Sequence, residues 1–339
     1  GSGGTNDAPI FQDYCKVAKE TTSAMSSLVI PSKWFTGGRE HLLGEFRRDM
    51  LTSKQVSHLT AYHNPRELFP EVEIKGGICY FLRDKHYDGS CEYTLRKNGT
   101  SEKTTLELNK FDVIIREPRL ASIVQKIVSK ANEDHAGFVE GIISSDTPFG
   151  IPTNPRSSKK TPFDVSDVQT EEFDIKLYFL EKGCRRIGYV RSSDVRKNSN
   201  AIPDIKVFIP KAGGSGNDQL ILGQPIIAEG NSVCSQTYVY ASFGAESNDE
   251  QETAPLVKAE NFVSYLKTRV FRILVSSMKI TQDALAGVYH YVPMQDFSHP
   301  WTDEMLYEMY DITDDERKYI ESMIKPMKDE EAGQLTINF

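Results

Sequence analysis

The stretch that decides the fold is Phe69-Pro70-Glu71-Val72-Glu73-Ile74-Lys75-Gly76-Gly77-Ile78-Cys79-Tyr80-Phe81-Leu82-Arg83. It begins with an aromatic residue on a proline-marked turn and continues through two glycines, which let the backbone bend or approach another group closely. The apolar run from Ile78 to Leu82 has the length of a buried strand. Phe69 therefore lies at the mouth of a predicted strand, where its ring either offers a flat face to a ligand or belongs to the core.

Strand-like and helix-like patterns alternate on both sides of this stretch. A helix is expected near the start of the chain, with Ile10, Tyr14, Val17 and Ala18 on one apolar face. The pair Asn98-Gly99 predicts a hairpin turn. Strands are expected at 27–30, 56–62, 78–82, 91–95 and 104–108, and a second helix at 42–51. The alternation predicts an α/β fold with a sheet that is covered on both faces.

The second half of the chain has a different pattern. Residues 119–131 predict a connecting helix, and residues 147–162 contain four prolines and few apolar side chains, which is typical of a loop. Strand-like patterns dominate 173–207. Apolar residues at helical spacing predict one long helix over 260–278, and a capping-box pattern at 313–316 predicts the start of another. These patterns indicate a mixed α+β arrangement.

Charge is distributed unevenly over the 339 residues, a length that suggests two domains, each with its own core. The net charge is −8, yet the block from Lys176 to Lys211 has nine Lys/Arg against three Asp/Glu. The block from Thr302 to Glu331 has eleven Asp/Glu against four Lys/Arg. An acidic protein with one basic block fits a partner that is a polyanion bound on one face, with ordinary surface charge as the alternative.

The five cysteines are scattered and show no Cys-x-x-Cys spacing. This pattern argues against a disulfide framework and against a structural zinc site, so no metal is expected. The sequence contains no signal peptide and no long uncharged apolar segment, from which we expect a cytoplasmic protein with no membrane partner.

Several motifs follow one another in order along the chain. The first half contains Val29-Ile30-Pro31-Ser32-Lys33-Trp34-Phe35-Thr36-Gly37-Gly38, Phe46-Arg47, Leu68-Phe69-Pro70 and Ile74-Lys75-Gly76-Gly77-Ile78-Cys79-Tyr80-Phe81-Leu82. The second half contains Tyr238 to Phe243, Glu260-Asn261-Phe262-Val263-Ser264-Tyr265-Leu266-Lys267-Thr268, Val292-Pro293-Met294-Gln295-Asp296-Phe297 and Trp301-Thr302-Asp303. Together they resemble the adenine-specific DNA methyltransferases of TaqI-like restriction–modification systems, over about residues 8–328.

The resemblance implies a fold and a domain plan. The fold would be α/β, with an incomplete Rossmann-like methyltransferase sheet followed by a mixed α+β target-recognition domain. The implied domains are the C-terminal half of the catalytic domain (1–115), a connector helix (116–135), the target-recognition domain (136–330) and a tail (331–339).

Two parts of that family's pattern are missing from the sequence. The family binds S-adenosylmethionine with a glycine-containing loop and places the methyl group beside an Asn-Pro-Pro-Tyr motif. The segments Asn64-Pro65-Arg66 and Asn154-Pro155-Arg156 lack the second proline and the aromatic residue, and no such loop follows an early strand. The resemblance thus implies that a missing N-terminal catalytic segment or subunit supplies S-adenosylmethionine binding. The chain by itself is expected to be inactive.

Methylation of a base within a duplex requires extrusion of that base, which costs a few kcal/mol. An aromatic side chain that stacks on the extruded base contributes about 1–3 kcal/mol and offsets much of this cost. In the family, an aromatic residue at the Phe-Pro turn stacks on the target base, and this role corresponds to Phe69. The positions corresponding to the family's cofactor pocket are Pro9, Ile10 and Phe11.

Recognition of double-stranded DNA falls to the second half of the chain. Arg and Lys side chains bond to guanine or to phosphates, and Asn or Gln side chains bond to adenine. The candidates near the DNA are Arg185, Arg186, Arg191, Arg196, Lys197, Lys206, Lys211, Ser235, Gln236 and Thr237. Lys159 and Lys160, in the proline-rich loop, are expected to close over the DNA backbone. For each residue the alternative is a solvated surface position.

Two other functions are open to the sequence. The chain could be a stand-alone DNA-binding specificity subunit that acts with a separate catalytic chain. It could also be a nuclease, but no Pro-Asp followed by Glu-x-Lys occurs at the spacing that restriction enzymes use, so hydrolysis by this chain is not expected.

Overall fold

The computed structural model of the protein describes residues 9–36, 40–72, 74, 76–158, 163–182, 184–213, 219–245, 253–279 and 283–327, with the side chains of 40–42 excepted. The chain divides into two compact units, Gly1–Ser122 and Ile123–Phe339, called unit 1 and unit 2. A mixed α/β fold with a multi-stranded mixed sheet, as the sequence predicts, is confirmed.

Unit 1 is built around one sheet. Its described elements are α1 (Phe11–Thr21), β1 (Met25–Pro31), α2 (Glu40–Thr52), β2 (Val56–Tyr62), β3 (Ile78–Asp84), β4 (Cys91–Lys97) and β5 (Thr100–Leu106). The strand order is β1-β3-β2-β4-β5. Only the β2–β4 pair is parallel, and the other neighbours run antiparallel. Strand β1 is therefore an edge strand that pairs with β3 on one side and with no described residue on the other.

The core of unit 1 lies on one face of this sheet. Ile30, Cys79, Ala61 and Leu95 share that face because they are register partners across β1, β3, β2 and β4. They belong to one apolar cluster with residues from both helices, including Cys15 of α1 and Leu43 and Met50 of α2. Both helices thus cover the same face.

The predicted apolar face of α1 and the predicted cover of the sheet on both faces are corrected by the structure. Ile10, Tyr14 and Val17 form a stripe that points to solvent, whereas Cys15 is the buried residue of the helix. Met25 and Val29, on the face of β1 opposite the core, are also exposed. Each of these five side chains is 50–64% exposed. At the β1 end, the described residues cover the sheet on one face only.

The predicted hairpin is confirmed. Strands β4 and β5 pair from Cys91↔Leu106 to Lys97↔Thr100. The turn consists of Asn98 and Gly99, whose φ angles are 52° and 74°. Two consecutive positive φ angles match the twist of a two-residue hairpin, which explains this residue pair.

Helix α3 (Pro118–Glu133) spans the boundary between the units, and unit 2 follows with two three-stranded sheets and four helices in its described part. Its elements are β6 (Ile175–Glu181), β7 (Cys184–Val190), β8 (Lys206–Pro210), β9 (Ile226–Ala228), β10 (Ser232–Cys234), β11 (Tyr238–Ser242), α4 (Pro255–Lys267), α5 (Arg269–Met278), α6 (Asp303–Met309) and α7 (Asp314–Met323). The strand orders are β10-β6-β7 and β11-β8-β9. Leu177 and Phe179 of the first sheet share a core with Phe208 and Tyr238 of the second.

The long helix predicted over 260–278 is two helices. The chain leaves helical geometry at Thr268, whose ψ is 152°, and the Thr268 side chain accepts a hydrogen bond from Phe271 N. The carboxylate of Asp303 accepts hydrogen bonds from Arg269 N at 2.6 Å and Val270 N at 3.1 Å. Helix α5 therefore begins with a full set of acceptors for its first amides.

Among the residues with described positions, none of the helices has the length and the apolar run that a crossing of a lipid bilayer requires.

Candidate nucleic-acid interface

The described residues between Asn64 and Gly77 (64–72, 74, 76 and 77) include Phe69 and are called the Phe69 segment. It begins with a 3₁₀ turn over Pro65–Glu67, capped by the Asn64 side chain, which accepts a hydrogen bond from Arg66 N at 3.1 Å. Phe69 N donates to Pro65 O at 2.9 Å. The residue Phe69 is 40% exposed. The structure thus places an accessible aromatic ring on a hydrogen-bonded turn, and its role as a stacking platform stays a prediction.

The far end of the Phe69 segment is a tight double-glycine turn. Gly76 and Gly77 have φ angles of 90° and 79°, which other residues rarely adopt. Gly77 N donates to Ile74 O at 3.3 Å, and Gly77 O accepts from Ser32 N at 3.0 Å. A Cβ on Gly77 would lie 2.7 Å from Tyr62 O, so only glycine fits against the end of β2.

The three predicted cofactor-pocket residues lie at the start of α1 and differ in environment. Ile10 is exposed, and Pro9 is half-buried. Phe11 packs edge-on against Phe46, with ring centroids 5.7 Å apart, and lies beside the core of unit 1. Pro9 O accepts a hydrogen bond from Gln12 Nε2 at 2.6 Å. These residues offer an apolar wall, and their contact with a cofactor stays a prediction.

In unit 2, several predicted DNA-binding residues meet at the segment 146–151. Lys211 Nζ lies 2.8 Å from Asp146 Oδ1, and the Gln236 side chain also bonds to that carboxylate. Gln236 N donates to Ile151 O at 2.8 Å. Lys197 lies beside the same segment, 3.6 Å from the position of a Cβ on Gly150. Residues that are distant in sequence thus form one polar cluster.

The charge of Lys211 is compensated within this cluster. Burial alone would raise the pKa of Asp146, but the hydrogen bond and positive charge of Lys211, together with hydrogen bonds from Thr147 N and the Gln236 side chain, lower it. Asp146 therefore remains ionised and neutralises Lys211. This arrangement orients Gln236, whose amide can bond to an adenine edge. A DNA phosphate would have to compete with Asp146 for the ammonium of Lys211.

Ser235 and Thr237 flank Gln236 but differ in accessibility. Ser235 is fully buried, its hydroxyl lies 2.9 Å from the Thr237 hydroxyl, and its amide donates to Tyr178 O. The prediction that the Ser235 side chain lies near the groove does not hold in this structure, because that side chain does not reach the surface. Thr237 is half-buried beside it.

Arg185 and Arg186 are neighbours on β7 with different environments. The Arg186 side chain is 60% exposed, and its Nε lies 4.0 Å from Glu181 Oε2. Arg185 is half-buried and donates from Nη2 to Gln224 O at 3.5 Å. Of the two, Arg186 presents the more accessible guanidinium. Arg196 and Lys197 are exposed as well, on the segment between β7 and β8.

Arg191 contacts three carboxylates. Its guanidinium lies 2.7 Å from Glu172, 2.9 Å from Asp164 and 3.5 Å from Asp194, and it stacks 4.2 Å from the centroid of the Phe173 ring. The hydrogen bonds with Glu172 and Asp164 raise the pKa of Arg191. A DNA phosphate would have to compete with these partners, so Arg191 contributes less to the basic surface than its sequence position suggests.

Lys206 is the clearest correction to the predicted DNA-binding set. It is fully buried, and its ammonium donates to the backbone carbonyls of Ala201 at 2.7 Å, Ile202 at 3.0 Å and Asp204 at 2.6 Å. Burial lowers the pKa of Lys206 to about 8. Because all three N–H groups are used inside the protein, Lys206 is a structural residue and does not reach DNA. Lys159 and Lys160 lie outside the described residues.

Comparison with known proteins gives one sequence relationship. No protein-family model matches the chain. Over 115 residues, 34% of this chain, the sequence is 26% identical to an uncharacterized adenine-specific methylase of Mycoplasma pneumoniae, of which it covers 27%. A third of the chain is similar to a methylase. At a coarse level, this similarity supports a relationship to adenine-specific methyltransferases.

Two solved structures are also similar. The type IIG restriction endonuclease BpuSI has a TM-score of 0.30 and 12% identity over 87% of this chain and 42% of its own. The DrdV–DNA complex has a TM-score of 0.41 and 8% identity over 95% of this chain and 40% of the solved one. The chain spans about a quarter of the methylase that it matches and about two fifths of each solved chain.

Asp146 and Arg116 contribute to these sites although the sequence alone did not single them out. Asp146 precedes Thr147 and Gly150, which have φ angles of 52° and 76°. The sequence Asp146-Thr147-Pro148-Phe149-Gly150 has the composition of a tight turn, and this composition could have indicated that Asp146 lies on a turn. Arg116 carries no such signal, because its contact with Gly76 joins residues forty positions apart.

Proposed function

We propose that this chain is the base-binding and DNA-recognition part of a site-specific DNA adenine methyltransferase of a restriction–modification system. Unit 1 would be an incomplete Rossmann-like sheet and unit 2 the target-recognition domain. The observation that carries the proposal is the accessible ring of Phe69 on a hydrogen-bonded turn. The similarity of part of the chain to an adenine-specific methylase supports the same reaction.

The proposed role of Phe69 is to stack on an adenine that has left the duplex. Extrusion costs a few kcal/mol, and one aromatic platform returns about 1–3 kcal/mol. A ring on a hydrogen-bonded turn loses little conformational freedom when the base arrives, so most of that stacking energy is available for extrusion.

The methyl group would come from S-adenosylmethionine. We propose that this cofactor is bound mainly by a separate catalytic segment or subunit, called the methyl-donor part. Pro9, Ile10 and Phe11 fit only one apolar wall of such a pocket. The surface that fits the methyl-donor part has two components. One is the exposed stripe Ile10, Tyr14 and Val17, and the other is the edge of β1, with Met25 and Val29, to which no described residue pairs. An edge strand beside exposed apolar residues can accept another strand and its covering helix. A specificity subunit with a separate catalytic chain would use the same surface.

A methylation assay tests the proposed function. Random-sequence duplex DNA is incubated with S-adenosylmethionine and with the chain in the presence of its methyl-donor part, then examined by methylation-sensitive sequencing. We expect N6-methyladenine within one recurring sequence. Phe69→Ala should lower the rate about tenfold, because stacking contributes about 1–3 kcal/mol, whereas Phe69→Trp should retain it.

Val72→Ala is the matched control, since Val72 is exposed on the same segment. Without the methyl-donor part, we expect no methylation and no micromolar binding of S-adenosylmethionine in titration calorimetry. Equal rates for the wild-type chain and Phe69→Ala would contradict the role of the ring, and micromolar cofactor binding by the chain alone would contradict the need for the methyl-donor part.

The DNA-binding face is tested through its salt dependence. Each Lys or Arg that neutralises a phosphate contributes roughly 0.9 to the slope of log affinity against log salt. We expect Arg185→Ala/Arg186→Ala to weaken binding to a mixed-sequence duplex and to reduce that slope by about 1–2, with Arg186→Ala alone giving most of the change. Lys318→Ala/Lys325→Ala, in the acidic C-terminal block, is the control of equal charge change. A slope that matches this control would remove Arg185 and Arg186 from the DNA face.

A further inference from the structure

One long side chain from a different part of unit 1 reaches the double-glycine end of the Phe69 segment. Arg116 Nη2 donates a hydrogen bond to Gly76 O, and Arg116 Nη1 lies 3.4 Å from the position of a Cβ on Gly77. Gly76 has no Cβ and Gly77 has no room for one. The guanidinium can therefore approach the backbone of both residues directly.

Arg116 is itself positioned by an aromatic ring. Its guanidinium carbon lies 5.4 Å from the centroid of the fully buried Phe35 ring. Phe35 is in turn fixed by the hydrogen bond from Ile114 N to Phe35 O at 2.8 Å, two residues before Arg116. The guanidinium thus lies beside the Phe35 ring, and its hydrogen bond is directed at the turn at Gly76.

The energetics of Arg116 indicate that its role is geometric. Burial lowers its pKa, and its Nε has no hydrogen-bond partner in the described part of the chain. It also forms no ion pair with a described carboxylate, and the nearby Glu117 instead pairs with Lys97 at 2.6 Å. Arg116 is half-buried, and a poorly compensated charge that has lost part of its hydration costs stability. A methionine of similar length would avoid that cost but could not donate to Gly76 O.

We propose that Arg116 is a positioning residue that fixes the Phe69 segment in the conformation that presents the Phe69 ring. The Asn64 cap and the Phe69 N–Pro65 O bond order the near end of the segment, and Arg116 orders the far end. The consequence for base stacking rests on the proposed function of Phe69. The anchoring itself does not, because it concerns only the free protein.

The anchoring is tested without DNA by a Phe69→Trp reporter. The native Trp34 and Trp301 are buried, and their signal is subtracted by using the matching chains with Phe69. Combined with Arg116→Met, the reporter should show a roughly twofold higher acrylamide quenching constant and a lower anisotropy, because the segment gains local motion. Arg116→Lys, which keeps a charged donor but not the forked guanidinium beside Phe35, should restore part of the difference.

Lys110→Met, at an exposed position near Arg116 in sequence, is the control and should leave the reporter unchanged. Unchanged quenching in a folded Arg116→Met chain would overturn the proposal. If that variant does not fold, Arg116→Lys decides, because we expect an intermediate quenching constant for it, and wild-type quenching would contradict the need for the guanidinium.

Activity separates the two proposals. If the reporter indole responds to Arg116→Met while Phe69→Ala methylates at the normal rate, the anchoring stands and the stacking role fails. If Phe69→Ala lowers the methylation rate as expected and the reporter indole does not respond to Arg116→Met, the stacking role stands and the anchoring fails. When both hold, Arg116→Met should lower kcat while the KM for DNA stays within about twofold, because it changes the presentation of the ring and not the DNA-binding face.

Discussion

Replacement of Lys206 by methionine is expected to lower the free energy of unfolding by about 3 kcal/mol at pH 7. Three hydrogen bonds from the ammonium would be lost, each contributing roughly 1.5–3 kcal/mol. Burial of the ammonium, which lowers its pKa from 10.5 to about 8, offsets part of this contribution. Asp204 O would keep no donor among the described residues. Urea unfolding of the two chains measures the difference.

The same pair of chains has a predicted pH dependence. Above pH 8 the folded protein releases the Lys206 proton, whereas the unfolded chain keeps it up to pH 10.5. Unfolding within this window takes up a proton, so the wild-type stability should rise with pH relative to that of Lys206→Met. Below pH 8 the contribution of Lys206 should be constant.

We therefore expect the difference between the two chains to be larger at pH 9 than at pH 7, by about 1 kcal/mol. Lys318→Met, at an exposed lysine of unit 2, should cost little at either pH. A Lys206→Met chain as stable as the wild type would show that the three carbonyls need no buried cation.

Gly77→Ala is expected to destabilise the protein by about 3 kcal/mol or more. A left-handed backbone costs a residue with a Cβ roughly 1–2 kcal/mol. The new Cβ would also lie 2.7 Å from Tyr62 O and 3.5 Å from His63 O, so the end of β2 or the Phe69 segment must move. The urea midpoint should fall accordingly, and the presentation of the Phe69 ring should change with it.

Gly99→Ala separates the two causes of that loss. Gly99 has a φ angle of 74°, close to the 79° of Gly77, but a Cβ there would meet nothing within 4 Å. It should cost only the roughly 1–2 kcal/mol of the left-handed backbone. If both substitutions cost the same, the close approach of Gly77 to the end of β2 contributes nothing.

Local signals predicted much of the fold. The Asn98-Gly99 turn and the Thr313–Glu316 capping box both appear as expected, because each is decided by side chains within a few residues of one another. Strand β2 matches its predicted bounds of 56–62 for the same reason. Where neighbours in sequence are also neighbours in space, the residue pattern was sufficient.

Features decided by distant residues were missed. The break between α4 and α5 depends on Asp303. Its carboxylate accepts a hydrogen bond from Arg269 N, the first amide of α5, although the two residues are thirty-four positions apart. The apolar stripe of α1 has normal amphipathic spacing, yet the stripe, including Tyr14, is exposed. The helix instead buries Cys15, which packs against residues of other elements. Spacing identifies an apolar face but not which side of the helix meets the core.

The candidate DNA-binding face shows the same division. On residue type alone, Lys206 and Arg186 were both predicted to bind DNA, although Lys206 is fully buried and Arg186 is exposed. Charge counts along the sequence could not show that Arg191 contacts three carboxylates, or that Lys211 is neutralised by Asp146, sixty-five positions before it.

The edge strand β1, Met25-Ser26-Ser27-Leu28-Val29-Ile30-Pro31, contains no charged side chain. Proteins commonly protect such strands with lysine, proline, a bulge or an inward charge, and of these devices β1 has only the proline at its last position. A second copy of the chain can add its own β1 to this template at high concentration. Expressed without a covering partner, the protein should therefore show concentration-dependent aggregation that begins at this strand, and a lysine in place of Val29 should suppress it.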